Sequence, residues 1–228
     1  IIGREVVNRG EKRKMHFTIY YRDEILTNAV RIIILKDLNY YFNKTLLSII
    51  NSNLIDWFIR KYSLTYHIKP YEIEDFPIVS LNDQYVKVLS GTADFILFSV
   101  ASERLGILQT NRSNFYLSIL NKMIYELYFK EKFAEDGLYP ESKEYLLEAV
   151  SKHLKLINYD RWAKLYWKKQ LEDNLSFSEE KEMQKLEKEN LSTIEAVYQS
   201  LKKDKEVQKW IKTIKSHKWI RVIEGEEG

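Results

Sequence analysis

Cysteine is absent from the 228 residues, so neither a disulfide nor a thiolate-bound metal can hold the chain together. That composition fits a reducing compartment, and a cytoplasmic protein is the expectation. Glycine is scarce and scattered, at positions 3, 10, 91, 106, 137, 225 and 228. No cluster of them offers the backbone amides that a nucleotide-phosphate loop requires. The four histidines, His16, His67, His153 and His217, form no His-x-x-x-His pair, which speaks against a zinc site built from them. Long apolar runs are missing too. Ile32–Leu35 and Phe95–Ala101 are too short to span a bilayer, and no signal-peptide pattern opens the chain. No membrane partner is expected. The start at Ile1 rather than Met reads as a piece of a longer polypeptide.

What the chain does contain suits a packed domain, with 45% hydrophobic and 30% charged residues. The net charge is only +3, but it is unevenly spread. Residues 1–80 carry 12 basic and 9 acidic side chains, residues 81–150 carry 7 and 10, and residues 151–228 carry 17 and 14. A polyanion is therefore better served by the two ends than by the middle.

Periodicity divides the chain near residue 80. The runs M-H-F-T-I-Y-Y, from Met15, and V-R-I-I-I-L, from Val30, read as strands joined through Asp23, Glu24 and Asn28 as a hairpin or short loop. A helix over about 44–61 follows, with Asn43 as its cap. L-T-Y-H-I and Y-E-I-E-D-F-P-I-V read as extended, because Pro70 and Pro77 disfavour a helix. Beyond Leu81 the pattern is helical, over 82–105 with Gly91 as an interruption, 113–134 with Ser113 as cap, then 141–157, 159–173, 178–202 and 204–216. The closing K-W-I-R-V-I-E reads as a short strand or tail. The expected class is α+β: a small mixed α/β recognition subdomain in residues 1–80, then a mostly α-helical scaffold in residues 81–228.

Catalytic signatures are missing. No serine elbow is present. The nearest imitation of a metal nuclease is Asp136, Glu141 and Lys143, a spacing that chance supplies in so Lys/Glu-rich a chain. The chain itself reads as non-catalytic, with no cofactor or metal of its own. Three basic patches remain. Arg9, Lys12, Arg13 and Lys14 precede a strand, and can meet phosphates or be a solvated terminus. Arg60, Lys61 and Tyr62, with Tyr66, His67 and Lys69, mix cations with planar rings. Such groups contact phosphates and bases, or complement a helix C-terminus. Residues 202–221 hold eight cations, with Lys205, Lys209, Lys212 and Lys215 near one face. Backbone contact with DNA and an ordinary exposed lysine face both fit that pattern.

One polar interruption is more informative. L-L-S-I-I-N-S-N-L-I-D-W-F-I-R, from Leu46, followed by F-P-I from Phe76, resembles the L-L-x-x-L-N-S-x-L-I … L-P-I pattern of TaqI-like specificity domains. A-D-F-I-L-F-S, from Ala93, and M-I-Y-E-L-Y-F, from Met123, are similar to two further helices of that family. The likeness is patchy over about residues 15–135. Those domains are the target-recognition regions of adenine-specific DNA methyltransferases and of fused restriction–modification enzymes.

The resemblance implies sequence-specific recognition of double-stranded DNA for a methyltransferase domain, possessing or lacking a fused endonuclease, in a type II restriction–modification enzyme. The methyl-donor site, the N-P-P-Y loop and the PD-(D/E)xK nuclease of such enzymes are absent from this sequence. S-adenosylmethionine, and Mg where a nuclease is fused, would belong to the parent. Asn51 and Ser52, the family's Asn-Ser pair, read as mainly structural, since both compete for local backbone hydrogen bonds. The DNA-contacting set is then Arg9, Lys12, Arg13, Lys14, Arg60, Lys61, Tyr62, Tyr66, His67 and Lys69. Two rival readings are a helical protein-interaction module and the nuclease part of a fused enzyme.

Overall fold

A computed structural model describes residues 1–4, 15, 17–19, 30–33, 40–62, 69–108, 111–172 and 175–226. The fold is mostly α rather than α+β, with three-quarters of the described residues helical. Three strands among the described residues, β1 (Ile2–Arg4), β2 (Phe17–Thr18) and β3 (Val30–Ile32), supply 3, 2 and 3 residues. They pair antiparallel in the order β2-β1-β3. The two runs read as strands therefore flank the N-terminal segment instead of pairing with each other. So small a patch does not form a layer of its own.

The helices among the described residues are α1 (Tyr40–Ile50), α2 (Asn53–Tyr62), α3 (Pro70–Glu74), α4 (Asp83–Arg104), α5 (Arg112–Glu135), α6 (Tyr145–Ser151), α7 (Tyr159–Glu172), α8 (Phe177–Lys203), α9 (Lys205–Ser216) and α10 (Lys218–Glu224). Several starts are chemically plain. Asn82 accepts the Tyr85 N–H at the head of α4. At α8, Ser176 accepts the Glu179 N–H while Glu179 accepts the Ser176 N–H, a reciprocal cap. Pro70 does not prevent a helix. It occupies the first helical position, where its missing N–H costs nothing, and Glu72 reaches back to the Lys69 N–H at 2.7 Å. The expected tail is helix α10, ended by Gly225 at φ 73°. Ser113 does not cap α5. Asn111 takes that position, and Ser113 donates its N–H and hydroxyl to Glu103.

Gly91 does not interrupt α4. A Cβ there would stand 2.9 Å from the tips of Leu154 and Leu156, so the glycine lets the chain after α6 lie close on the helix. By length and composition α4 alone among the described helices is apolar enough to cross a membrane, yet 61% of that stretch is buried. It packs against α1, α5, α6 and α7, as a core helix does. On α1, Thr45 donates to the Val86 carbonyl of α4 at 3.0 Å, and small residues let the two backbones approach. Lys44, also on α1, is 1% exposed and sits between Asp94 of α4 and Asp160 of α7, 2.6 Å from the latter. Burial pulls the Lys44 ammonium down and pushes the Asp94 carboxyl up to about 6, each opposed by the attraction between them.

The predicted single helix over 44–61 is two helices. Asn51 and Ser52 break it, and the break is buried, so its freed polar groups need partners. Ser52 N–H reaches the Ile49 carbonyl and Ser52 Oγ accepts the Ile55 N–H at 3.3 Å, starting α2. The Asn53 N–H donates to Asn121 Oδ1 of α5 at 2.7 Å. Asn51 reads β2 like a neighbouring strand: Oδ1 accepts the Phe17 N–H at 2.9 Å, and Nδ2 donates to the Phe17 carbonyl at 2.8 Å. Asp56 takes the Met15 N–H at 3.0 Å. A first core gathers Met15, Phe17, Leu47, Ile49, Ile50, Ile55, Ile59 and Phe76. Leu81, Leu97 and Tyr128 pack against both it and the large helical core.

Within the helical core, Glu126 is fully buried. It accepts the Tyr139 hydroxyl and the Leu146 and Leu147 amides at 2.6, 2.7 and 2.9 Å, fixing the start of α6. Burial nevertheless pushes its carboxyl up to about 7. The folded state then holds this proton more tightly than the unfolded chain does. The contribution of Glu126 to stability is full below its ordinary pKa of 4.5 and is lost as pH rises through about 7. Its upper size is about 3 kcal/mol. Glu126→Gln is expected to flatten the fall in melting temperature between those pH values, leaving only the part due to Asp94. An unchanged profile contradicts the assignment. For the helix break, Asn51→Ala is expected to cost about 2–3 kcal/mol. Hydrogen exchange should show protection lost at the Phe17 amide first, and a Phe17 amide that stays protected would refute the pin.

Candidate nucleic-acid interface

The break at Asn51–Ser52 aims α2, and α2 has two faces. Leu54, Ile55 and Ile59 are buried, whereas Asn53, Trp57, Arg60 and Lys61 follow one another at i, i+4 and i+7/i+8 on the side that lines a groove, with the largely buried Asp56 at its base. Val222, Ile223, Glu224 and Gly225 of α10 form the opposite wall. The groove is open and encloses about 640 Å³. The C-terminal end of α10 thus stands beside a helix that lies far earlier in sequence.

The cations of α2 differ in freedom. Arg60 Nε lies 3.1 Å from Asp56 Oδ2, a carboxylate that is itself buried and holds the Met15 amide. Part of the guanidinium charge is therefore spent inside the protein. Lys61 is exposed, and none of the described carboxylates stands within ion-pair distance of it. Tyr62 is 70% exposed, with its ring 4.4 Å from that of Phe58. Lys69 opens α3, and its ammonium lies 5.6 Å above the ring of Tyr71, which is 54% exposed. Opposite charge on the far wall is muted: Glu224 lies 3.7 Å from Lys122. Desolvation lowers the Lys122 pKa, and Glu224 counteracts it.

Of the residues predicted to contact DNA, Arg60, Lys61 and Tyr62 end α2 and Lys69 opens α3. Arg9, Lys12, Arg13, Lys14, Tyr66 and His67 lie outside the described residues. Asn53 and Trp57 were not among the candidates, although their helical spacing from Arg60 and Lys61 was there to be read. The α10 wall had no local signal, since only tertiary packing brings it to α2.

Other constellations are structural. Asp136 pairs with Lys132 and with His217 at 3.0 Å, Glu141 accepts the Tyr145 hydroxyl, and Lys143 meets Glu148 at 3.1 Å. The nuclease-like spacing is thus dispersed into separate contacts. No group of three metal-ligating side chains exists among the described residues. Ser200, His153 and Asp204 do stand in a row, with Oγ to Nδ1 and Nε2 to Oδ2 both at 2.6 Å. Ser200, however, sits in the last turn of α8, where carbonyl ends gather and an oxyanion is disfavoured. Asp204 spends its other oxygen capping α9 through the Glu206 and Val207 amides. The row fastens the chain after α6 to the α8–α9 corner.

No curated protein and no solved structure matches this chain. The family model of the TaqI-like C-terminal specificity domain matches residues 4–78. That segment contains the helix break, all of α2 and the exposed end at Arg60–Tyr62, and it stops at Ile78, the last residue of the F-P-I stretch. Over residues 4–78, about a third of its length, the chain is thus similar to the TaqI-like C-terminal specificity domains, the resemblance noted from its sequence.

Proposed function

We propose that this chain reads a sequence in duplex DNA as the specificity part of a restriction–modification enzyme whose chemistry lies in other segments. The family match over residues 4–78 carries this reading. The exposed end of α2 supports it physically. Lys61 offers a point charge to a phosphate, Arg60 keeps donors beyond its Asp56 contact, and Tyr62 presents a ring with a polar tip. Asn53 and Trp57 add an amide and an indole to the groove, the kinds of group that meet base edges and sugar faces.

In this reading the catalytic partner is an adenine-specific methyltransferase that uses S-adenosylmethionine and extrudes its target base. A fused nuclease would bring its own magnesium. The protein works in the cytoplasm, where the DNA is. The helices after residue 80 hold the recognition face against that partner. The division of labour follows from the side chains: phosphate contacts by lysine and arginine set the register, and groups on loops and grooves discriminate bases.

Selection of the chain against a random duplex pool tests the assignment. A common motif is expected among the retained DNA, with affinity falling steeply as salt rises. Lys61→Glu should weaken binding about tenfold at moderate salt and leave the selected motif unchanged, as removal of a phosphate partner does. A pool that stays random, with retention indifferent to salt, would sink the proposal.

A further inference from the structure

The cations of the C-terminal half are not all treated alike. Across α7 and α8 cations and carboxylates are nearly equal in number, and several pair directly: Arg161 with Glu182 at 2.6 Å, Lys168 with Glu179 at 2.8 Å, and Lys169 with Glu180 at 3.9 Å. Within α8, Lys185 faces Glu189. That surface largely neutralises itself.

Helices α9 and α10 do the opposite. Between Lys205 and Glu224 stand six cations, Lys205, Lys209, Lys212, Lys215, Lys218 and Arg221, against two carboxylates, Glu206 and Glu224. Both carboxylates are already met by lysines from elsewhere, Lys152 and Lys122. Lys215 meets Glu226 at 3.1 Å. Among the described residues, Lys205, Lys209, Lys212 and Lys218 have no carboxylate within ion-pair distance. All four are exposed, while Val207, Trp210, Ile214 and Ile220 are buried beneath them. Lys205, Lys209, Lys212 and Lys215 follow at spacings of four, three and three, which sets like charges beside one another and disfavours the helix. Glu226 beside Lys215 and the Trp210 ring under Lys209 offset only part of that repulsion, and a polyanion outside the molecule would offset more.

The position of this face narrows the partner. α10 forms the second wall of the groove whose first wall carries Arg60 and Lys61. Lys218 stands one turn before Val222, a lining residue of that wall, on the same side of α10. The exposed cations are nearly all lysines. A flexible ammonium suits a phosphate but lacks the fixed fork that reads a base. We propose that α9 and α10 form a second phosphate-binding face, joined through the groove to the basic end of α2, so that the duplex is gripped by residues far outside the 4–78 segment. This rests on the reading of the chain as a DNA-binding protein. It adds affinity and register without adding sequence information.

The test is fluorescence anisotropy of a labelled mixed-sequence duplex with the full chain over a salt series. Lys205→Ala, Lys212→Ala and Lys218→Ala are combined in one variant, and Lys185→Ala with Lys188→Ala on α8 serves as the control. The slope of log affinity against log salt is expected to fall by about 2–3 in the triple variant, near 0.9 for each phosphate no longer neutralised, and to be unchanged in the control. The motif selected from a random pool should be the same for the triple variant and the parent chain. Unchanged folding is checked by the melting temperature, which removal of exposed, mutually repelling charges should leave level or raise. A triple variant with the parental slope, beside a Lys61→Glu variant that loses affinity, overturns this second face and leaves the DNA reading standing. An equal loss in the control also overturns it, since the effect would then be net charge alone. A parent chain that shows no salt-dependent binding at all removes both.

Discussion

A helix broken inside a protein core must find partners for the amides and carbonyls it releases, and the arrangement of this molecule depends on how Asn51, Ser52 and Asn121 meet that demand. Unpaired, each such group would cost about 1–3 kcal/mol, a large share of a domain's net stability. The solution ties three segments together at one point. Asn51 fastens β2, Ser52 restarts the helix, and Asn121 brings α5 to the new N-terminus. The direction of α2 follows, and with it the exposure of Arg60, Lys61 and Tyr62. The polar pair that marks the family in sequence is therefore an orienting device, set about two turns before the residues proposed to touch DNA.

Burial sorts the charges into two kinds. Lys44 lies between Asp94 and Asp160, and Glu126 lies among three donors; both join helices distant in sequence. A buried ion pair such as that of Lys44 adds little net stability against well-packed apolar residues, yet losing one partner is costly, and the same holds for a buried carboxyl like Glu126 robbed of its donors. Exposed charges form the second kind, and they are distributed by face. The α7–α8 surface nearly balances its cations with carboxylates, while α9 and α10 carry a clear excess of cations. The net charge of +3 hides this partition completely.

The helices were legible because their apolar period is strong, but their caps were not: Asn43 lies inside α1 and Ser113 binds Glu103, while Asn82 and Ser176, unmarked in the sequence reading, cap α4 and α8. The misreadings share one cause. Pro70 reads as a helix breaker until Glu72 is seen to close the first turn, and K-W-I-R-V-I-E reads as a strand until Ile220 and Ile223 find the core. Short apolar runs fit either period, and only packing decides between them. The α+β class failed for the same reason, since among the described residues the β-branched runs contribute only two or three to pairing. Of the interface, the α2 cations were visible in sequence. Asn121 beneath α2 and the α10 wall beside it were not, because 68 residues separate the first hydrogen-bonded pair and α3 to α9 lie between the two walls along the chain.

Those long-range contacts also explain how the proposed recognition surface can be both rigid and exposed. Sliding α2 by one turn would unmake the Asn53–Asn121 bond and strand the Asn51 amide from Phe17 together, so the two penalties add instead of offering a cheap intermediate. The groove wall is held to within the freedom of its outer side chains. A duplex meeting it must accommodate the protein more than the protein accommodates the duplex. Under the proposed function, sequence-dependent stiffness of the DNA would then contribute to selection even where no side chain touches a base. A wall carrying one amide, one indole and a few cations can discriminate more than those few groups suggest, provided the helix beneath it does not move.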